Sequence, residues 1–83
     1  MKLLDFENNE KGYKPLVVSK DNFKRNIGKS ICYVDFVEKY RGTYFVRYGI
    51  IHSVKYNTLY LNDGDNEVDI RNIKEAGIKI QES

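Results

Sequence analysis

Between Thr43 and Val54 side chains alternate as they do along a strand, and no helical period competes. The even positions are Tyr44, Val46, Tyr48, Ile50, His52 and Val54; the odd positions are Thr43, Phe45, Arg47, Gly49, Ile51 and Ser53. Charge falls only in the odd set, so the even face is expected to be the core face. Gly49 in mid-strand predicts a bend or bulge. A second strand is expected over Lys29 to Val37. Cys32, Val34 and Phe36 point to one side of it, and Ile31, Tyr33, Asp35 and Val37 to the other. Asp35 implies that its face is only partly buried. Glu38 to Gly42 joins the two strands.

The rest of the chain reads as short strands separated by turns. Lys55-Tyr56-Asn57 turns into Thr58 to Leu61, with Leu59 and Leu61 inward. Asn62 to Asn66 is rich in residues that tolerate positive φ. Glu67 to Ile70 returns with Val68 and Ile70 inward. Arg71 to Ala76 is expected to form one helical turn closed by Gly77, before a last strand through Ile78 and Ile80. At the other end, Met1 to Lys14 has no regular apolar period, but Leu3, Leu4 and Phe6 can dock, which makes it an arm. Pro15 opens a short strand, Leu16-Val17-Val18. Ser19 suits a helix N-cap and Asp21 the first turn. Phe23 and Ile27 share one side of a helix over Lys20 to Asn26, and Gly28 ends it. The fold class expected is mainly β: a small five-stranded barrel over 29–83, with an arm, a short strand and one short helix over 1–28 packing on it.

The run Gly49-Ile50-Ile51, Thr58-Leu59-Tyr60-Leu61, Glu67-Val68-Asp69-Ile70, Asn72-Ile73 and Ile78-Lys79-Ile80 resembles an SH3-like barrel of the Tudor and KOW type. There a Gly opens a long bent strand, a hairpin follows, and a single 3₁₀ turn precedes the final strand. The resemblance covers about Lys29 to Ile80 and is one of strand order. Trp is absent from the chain, so the proline-binding preference of eukaryotic SH3 domains is not implied. In size and composition the chain is also similar to small proteins of phages and mobile elements, among them anti-CRISPR inhibitors.

Eighty-three residues allow one domain with a modest core. Cys32 is the single cysteine, so no disulfide closes within the chain, and a reducing compartment is favoured. Acids interrupt the opening Met-Lys-Leu-Leu-Asp-Phe-Glu; no signal peptide or membrane span is expected, and a cytoplasmic protein is. The net charge of +2 is uneven. Residues 29–57 hold five basic and two acidic residues, whereas 58–83 hold three basic and six acidic ones. That balance excludes an acidic DNA mimic, and also tight nonspecific DNA binding by charge alone.

Candidate chemistry concentrates in Lys39-Tyr40-Arg41 and the strand after it. Cations and aromatics interleave there as nucleic-acid surfaces require, with Phe45 and Arg47 on one face and Lys55 and Tyr56 at the far end. The same residues suit a protein interface, with Ile51 beside Phe45 and Arg47 as its apolar centre. The partner-binding set is therefore Lys39, Tyr40, Arg41, Phe45, Arg47, Ile51, Lys55 and Tyr56. A loop beginning at Asp63 fails the calcium pattern, because Val68 and Lys74 stand where Gly and Glu are needed. Cys32 and His52 are the only thiol and imidazole, and Cys32 reads as a small hydrophobe. No phosphate loop, zinc set or nucleophile elbow is present. The function expected is a non-enzymatic binding module without cofactor or metal. It engages a nucleic-acid-handling protein such as a host nuclease complex, by steric occlusion. The alternatives are direct RNA or DNA binding, and a homo-oligomer joined by edge strands.

Overall fold

The computed structural model describes residues 3–37 and 43–80. Six strands form one antiparallel sheet: β1 Tyr13–Leu16, β2 Ser30–Val37, β3 Thr43–Lys55, β4 Thr58–Leu61, β5 Asn66–Asp69 and β6 Ile73–Lys79. One helix, α1, spans Lys20–Arg25. The strand order is β1-β6-β2-β3-β4-β5, with β1 and β5 as edges. The sheet is thus mainly β as expected, but it is six-stranded and not closed.

β3 joins the two halves. Its first part, Thr43 to Ile50, pairs with β2, and its second part, Ile51 to Lys55, pairs with β4. The β3–β4 register slips between Ile51 and Ser53, so one extra residue, His52, is accommodated there. A bulge reverses the side-chain parity beyond it. Ile51 and Val54, three apart, consequently both pack on the main core. Gly49 sits before the slip, where a Cβ would come 3.3 Å from a methyl of Leu61.

The expected core face of β3 is corrected by this geometry. Before the bulge neither set is buried: Val46, Tyr48 and Ile50 are exposed at 41%, 54% and 49%, and Phe45 on the other side at 37%, whereas Ile51 is 1% exposed. The main core also holds Phe23, Ile31, Tyr33, Leu59, Leu61, Val68, Ile70, Ile73, Ala76 and Ile78.

β2 is covered on both sides. Ile31 and Tyr33 enter the main core, while Cys32 and Val34 form a second cluster with Leu4, flanked by Leu3, Phe6 and Tyr13. The arm therefore docks as expected, and its backbone is captured by carboxylates. Glu75 on β6 accepts from the N–H groups of Leu3 and Leu4. The buried Glu10 accepts from the Asp5 N–H at 2.7 Å. Asp5 accepts in turn from the N–H groups of Glu7 and Asn8 and from the Asn8 side chain. The arm lacks a helical or strand period because side chains, not a ladder, satisfy its amides.

Other expectations shift by a few residues. Ser19 caps α1 by accepting from the Asn22 N–H at 3.1 Å, and Gly28 takes the left-handed conformation at φ +91°. Phe23 is buried, but Ile27 is half exposed. β1 begins at Tyr13 rather than at Leu16, with Pro15 inside an edge strand where its missing donor costs nothing. The turn before the last strand is shorter and earlier than expected: a 3₁₀ turn at Ile70–Asn72, with β6 running from Ile73 through Gly77. Gly77 therefore does not end a helix. It admits the Phe6 ring, since a Cβ there would lie 2.5 Å from a Phe6 ring carbon and 3.0 Å from the Cys32 sulfur.

Asp69 caps the 3₁₀ turn. Its carboxylate accepts from the Arg71 N–H and from the Arg71 guanidinium, the shorter ion-pair contact being 2.7 Å. These bonds favour the charged form and hold the carboxyl down at about 2, against an ordinary 3.8. A folded value below the unfolded one stabilises the fold above pH 3.8, and that contribution fades as pH falls through about 2.

Two outcomes are expected. A carboxyl NMR titration should find Asp69 at about 2 and moved up toward its ordinary value in Arg71→Ala; an unmoved Asp69 would refute the pairing. Gly77→Ala should lower stability by about 1–3 kcal/mol through overpacking and speed the reaction of Cys32 with a thiol reagent. An unchanged denaturation midpoint with an inert thiol would show that Phe6 does not lie against β6.

Candidate functional surfaces

The expected partner-binding residues do not form one patch. Lys39, Tyr40 and Arg41 lie outside the described residues. Phe45 and Arg47 do share a face, with the guanidinium carbon 5.6 Å from the centre of the Phe45 ring, a cation–π separation. That face is the concave one, toward the sheet interior. Ile51, expected as an exposed apolar centre, belongs to the core instead, because the same face runs inward along β3. Lys55 and Tyr56 stand at the other end of the strand, up to roughly 30 Å from Arg47 at 3.3 Å per residue.

The concave face opens as a cleft of about 380 Å³ between β2–β3 and the β4–β5 hairpin. Tyr33, Asp35, Arg47, Asp65 and Glu67 are among the residues that line it. Arg47 Nε lies 3.6 Å from Asp35 Oδ2, beyond good hydrogen-bond length but within ion-pair range. Burial pushes the Tyr33 phenol up, and the Arg47 charge opposes that shift. With three carboxylates around one guanidinium, the cleft repels phosphate. The cation–aromatic alternation legible in the sequence is real, but β2 and the β4–β5 hairpin bring acids to the same place.

The convex side differs. Val46, Tyr48 and Ile50 project side by side from β3, opposite Val34, Cys32 and Ser30 on β2. The arm covers Cys32 and Val34, and the ring of Tyr13, the first residue of β1, reaches Tyr48 with centroids 6.0 Å apart. On either side of Tyr48 in the row, Val46 and Ile50 are exposed. Single exposed apolar side chains are ordinary on a protein surface, whereas a contiguous row marks a surface that meets something. Alternation alone did not identify it, because both faces of β3 carry apolar residues. The signal was Asp35 on β2, the cross-strand charge partner that draws Arg47 to the concave side.

Cys32 is buried beneath the arm, and burial with the nearby Glu10 charge pushes its thiol up to about 11. At neutral pH it stays a protonated apolar group. His52 is exposed at the bulge. Among the described residues no group of three or more His, Cys, Asp or Glu side chains is arranged to hold a metal ion, and no helix is long and apolar enough to cross a membrane.

Tyr56 stands out by its backbone. It occupies the tip of the β3–β4 hairpin at φ +55° and is 89% exposed. A left-handed conformation costs a non-glycine residue about 1–2 kcal/mol, and no burial of the ring offsets that here. No family model, curated protein or solved structure matches the chain, so what these surfaces do rests on their physical chemistry.

Tyr56→Asn should raise stability by about 0.5–1 kcal/mol, because Asn tolerates the left-handed region. A thermal melt measures this. A lower melting temperature would mean that the exposed ring contributes packing after all.

Proposed function

We propose that the chain is a small non-enzymatic binding module that docks on a protein partner through the exterior face of β3. One observation carries this reading: Val46, Tyr48 and Ile50 form an exposed apolar row on the part of β3 that pairs in continuous register with β2. A rigid sheet face loses little conformational entropy on binding. Tyr at its centre combines large apolar area with a polar tip, as residues that dominate interfaces do.

The architecture supports the same reading at a finer level. The order β6-β2-β3-β4-β5, with a 3₁₀ turn before the final strand, is compatible with an SH3-like arrangement, although the sheet is not closed and β1 adds an edge. Such scaffolds carry function on their outer faces and loops, and the fold alone assigns none. The partner we favour is a nucleic-acid-handling protein, and the most concrete version is a phage-type inhibitor that occludes a host nuclease. Direct nucleic-acid binding through Phe45 and Arg47 is disfavoured, since phosphate would meet the carboxylates of the concave cleft.

The test is a pull-down from host lysate, followed by reconstitution with the purified partner. Ile50→Lys and Tyr48→Ser, both on exposed positions, should abolish capture while leaving the circular dichroism unchanged. Arg47→Gln should capture normally. Retention of the partner by both exterior variants would contradict the reading. So would a wild-type sedimentation mass of twice 9.8 kDa that falls to the monomer in Ile50→Lys, because the row would then be a self-association face.

A further inference from the structure

A second surface involves none of the three residues of the β3 row. Lys14 on β1, Lys29 just before β2 and Lys79 at the end of β6 line one cleft of about 280 Å³, together with Asn26, Ile78 and Ile80. No carboxylate among the described residues lines it. None of the three lysines forms an ion pair with a described residue. The lysines are far apart in sequence and meet only through the sheet. The register places Lys14 opposite Ile78, and Tyr13 opposite Lys79.

Their backbones are fixed. Lys14 and Lys79 lie in paired strands. The Lys29 N–H donates to the Asn26 carbonyl, and its own carbonyl accepts from the Ile51 N–H, both at 3.0 Å. Three cations therefore share one opening with no carboxylate of the described residues beside them. A cleft lined by charge of one sign raises the local concentration of its counter-ions.

We propose that this cleft binds the phosphodiester backbone of a nucleic acid. Lysine binds phosphate as a point charge, without the planar fork that arginine brings to carboxylate and phosphate alike, so spaced lysines suit a continuous polyanion. The cleft presents only lysines. Half-exposed Ile80 at its rim gives sugars or bases an apolar surface to lie against. Contact of this kind reads no sequence. It involves none of the residues of the β3 docking row, so either surface can fail its test without the other.

The experiment is fluorescence anisotropy of a labelled 20-nucleotide single-stranded DNA with the full chain across a salt series. Three lysine–phosphate contacts predict a log–log salt slope near −2, since each adds about −0.7 on a single strand. Lys29→Gln/Lys79→Gln should flatten the slope by about 1.4 and weaken binding at least tenfold at low salt, with the thermal melt unchanged. Lys20→Gln/Lys55→Gln removes the same charge elsewhere and should retain most of the affinity. Equal losses in both double variants would overturn the site, because only overall charge would then matter. No binding by the wild type at 20 mM salt would also overturn it, as would competition by polyglutamate as effective as that by unlabelled DNA.

Discussion

The double burial of β2 is the constraint from which the available surfaces follow. Ile31 and Tyr33 pack into the main core, and Cys32 and Val34 pack under the arm. A strand covered on both faces fixes the orientation of every neighbour paired to it, because a one-residue slip would turn apolar side chains out to water. β3 pairs with β2 in continuous register from Thr43 to Ile50, so its outward and inward sets are inherited. The arm covers Cys32 and Val34 on β2, and β3 is met only at Tyr48, by Tyr13 at the start of β1. The convex face is therefore half dressed: satisfied over β2, bare over Val46 and Ile50.

This also explains why residues 3–12 form an irregular arm with no ladder of their own. A small domain buries only about 60% of its unfolded surface, and an uncovered central strand would leave a hydrophobic face in water. The arm supplies the cover without a ladder. Glu75, Glu10 and Asp5 accept from its backbone N–H groups, and Phe6 reaches β6 where Gly77 has no side chain. The acids that look like surface charge in the sequence are structural acceptors.

What the sequence disclosed follows the range of the interactions involved. Local signals were legible: the Ser19 cap, the Gly28 terminus, the turn at Asn62 to Asn66, the inward pairs Leu59/Leu61 and Val68/Ile70, and the apolar docking residues of the arm. Signals that depend on distant partners were not. Arg47 argued for an exposed odd face, yet Asp35 stabilises it at the mouth of the concave cleft. Ile51 shares parity with Arg47 and continues into the core. The bulge that reverses parity falls at His52, three residues beyond the glycine that hinted at it. Lys14, Lys29 and Lys79 converge through strand order alone, which no window along the chain contains.

The orientation of β3 before its bulge is the claim on which both the concave cleft and the convex docking row stand. Solvent paramagnetic relaxation enhancement on methyl-labelled protein tests it directly. A soluble probe should broaden the Val46 and Ile50 methyls strongly and leave those of Ile51 and Val34 sharp. Sharp Ile50 with broadened Ile51 would reverse the two faces and contradict the account.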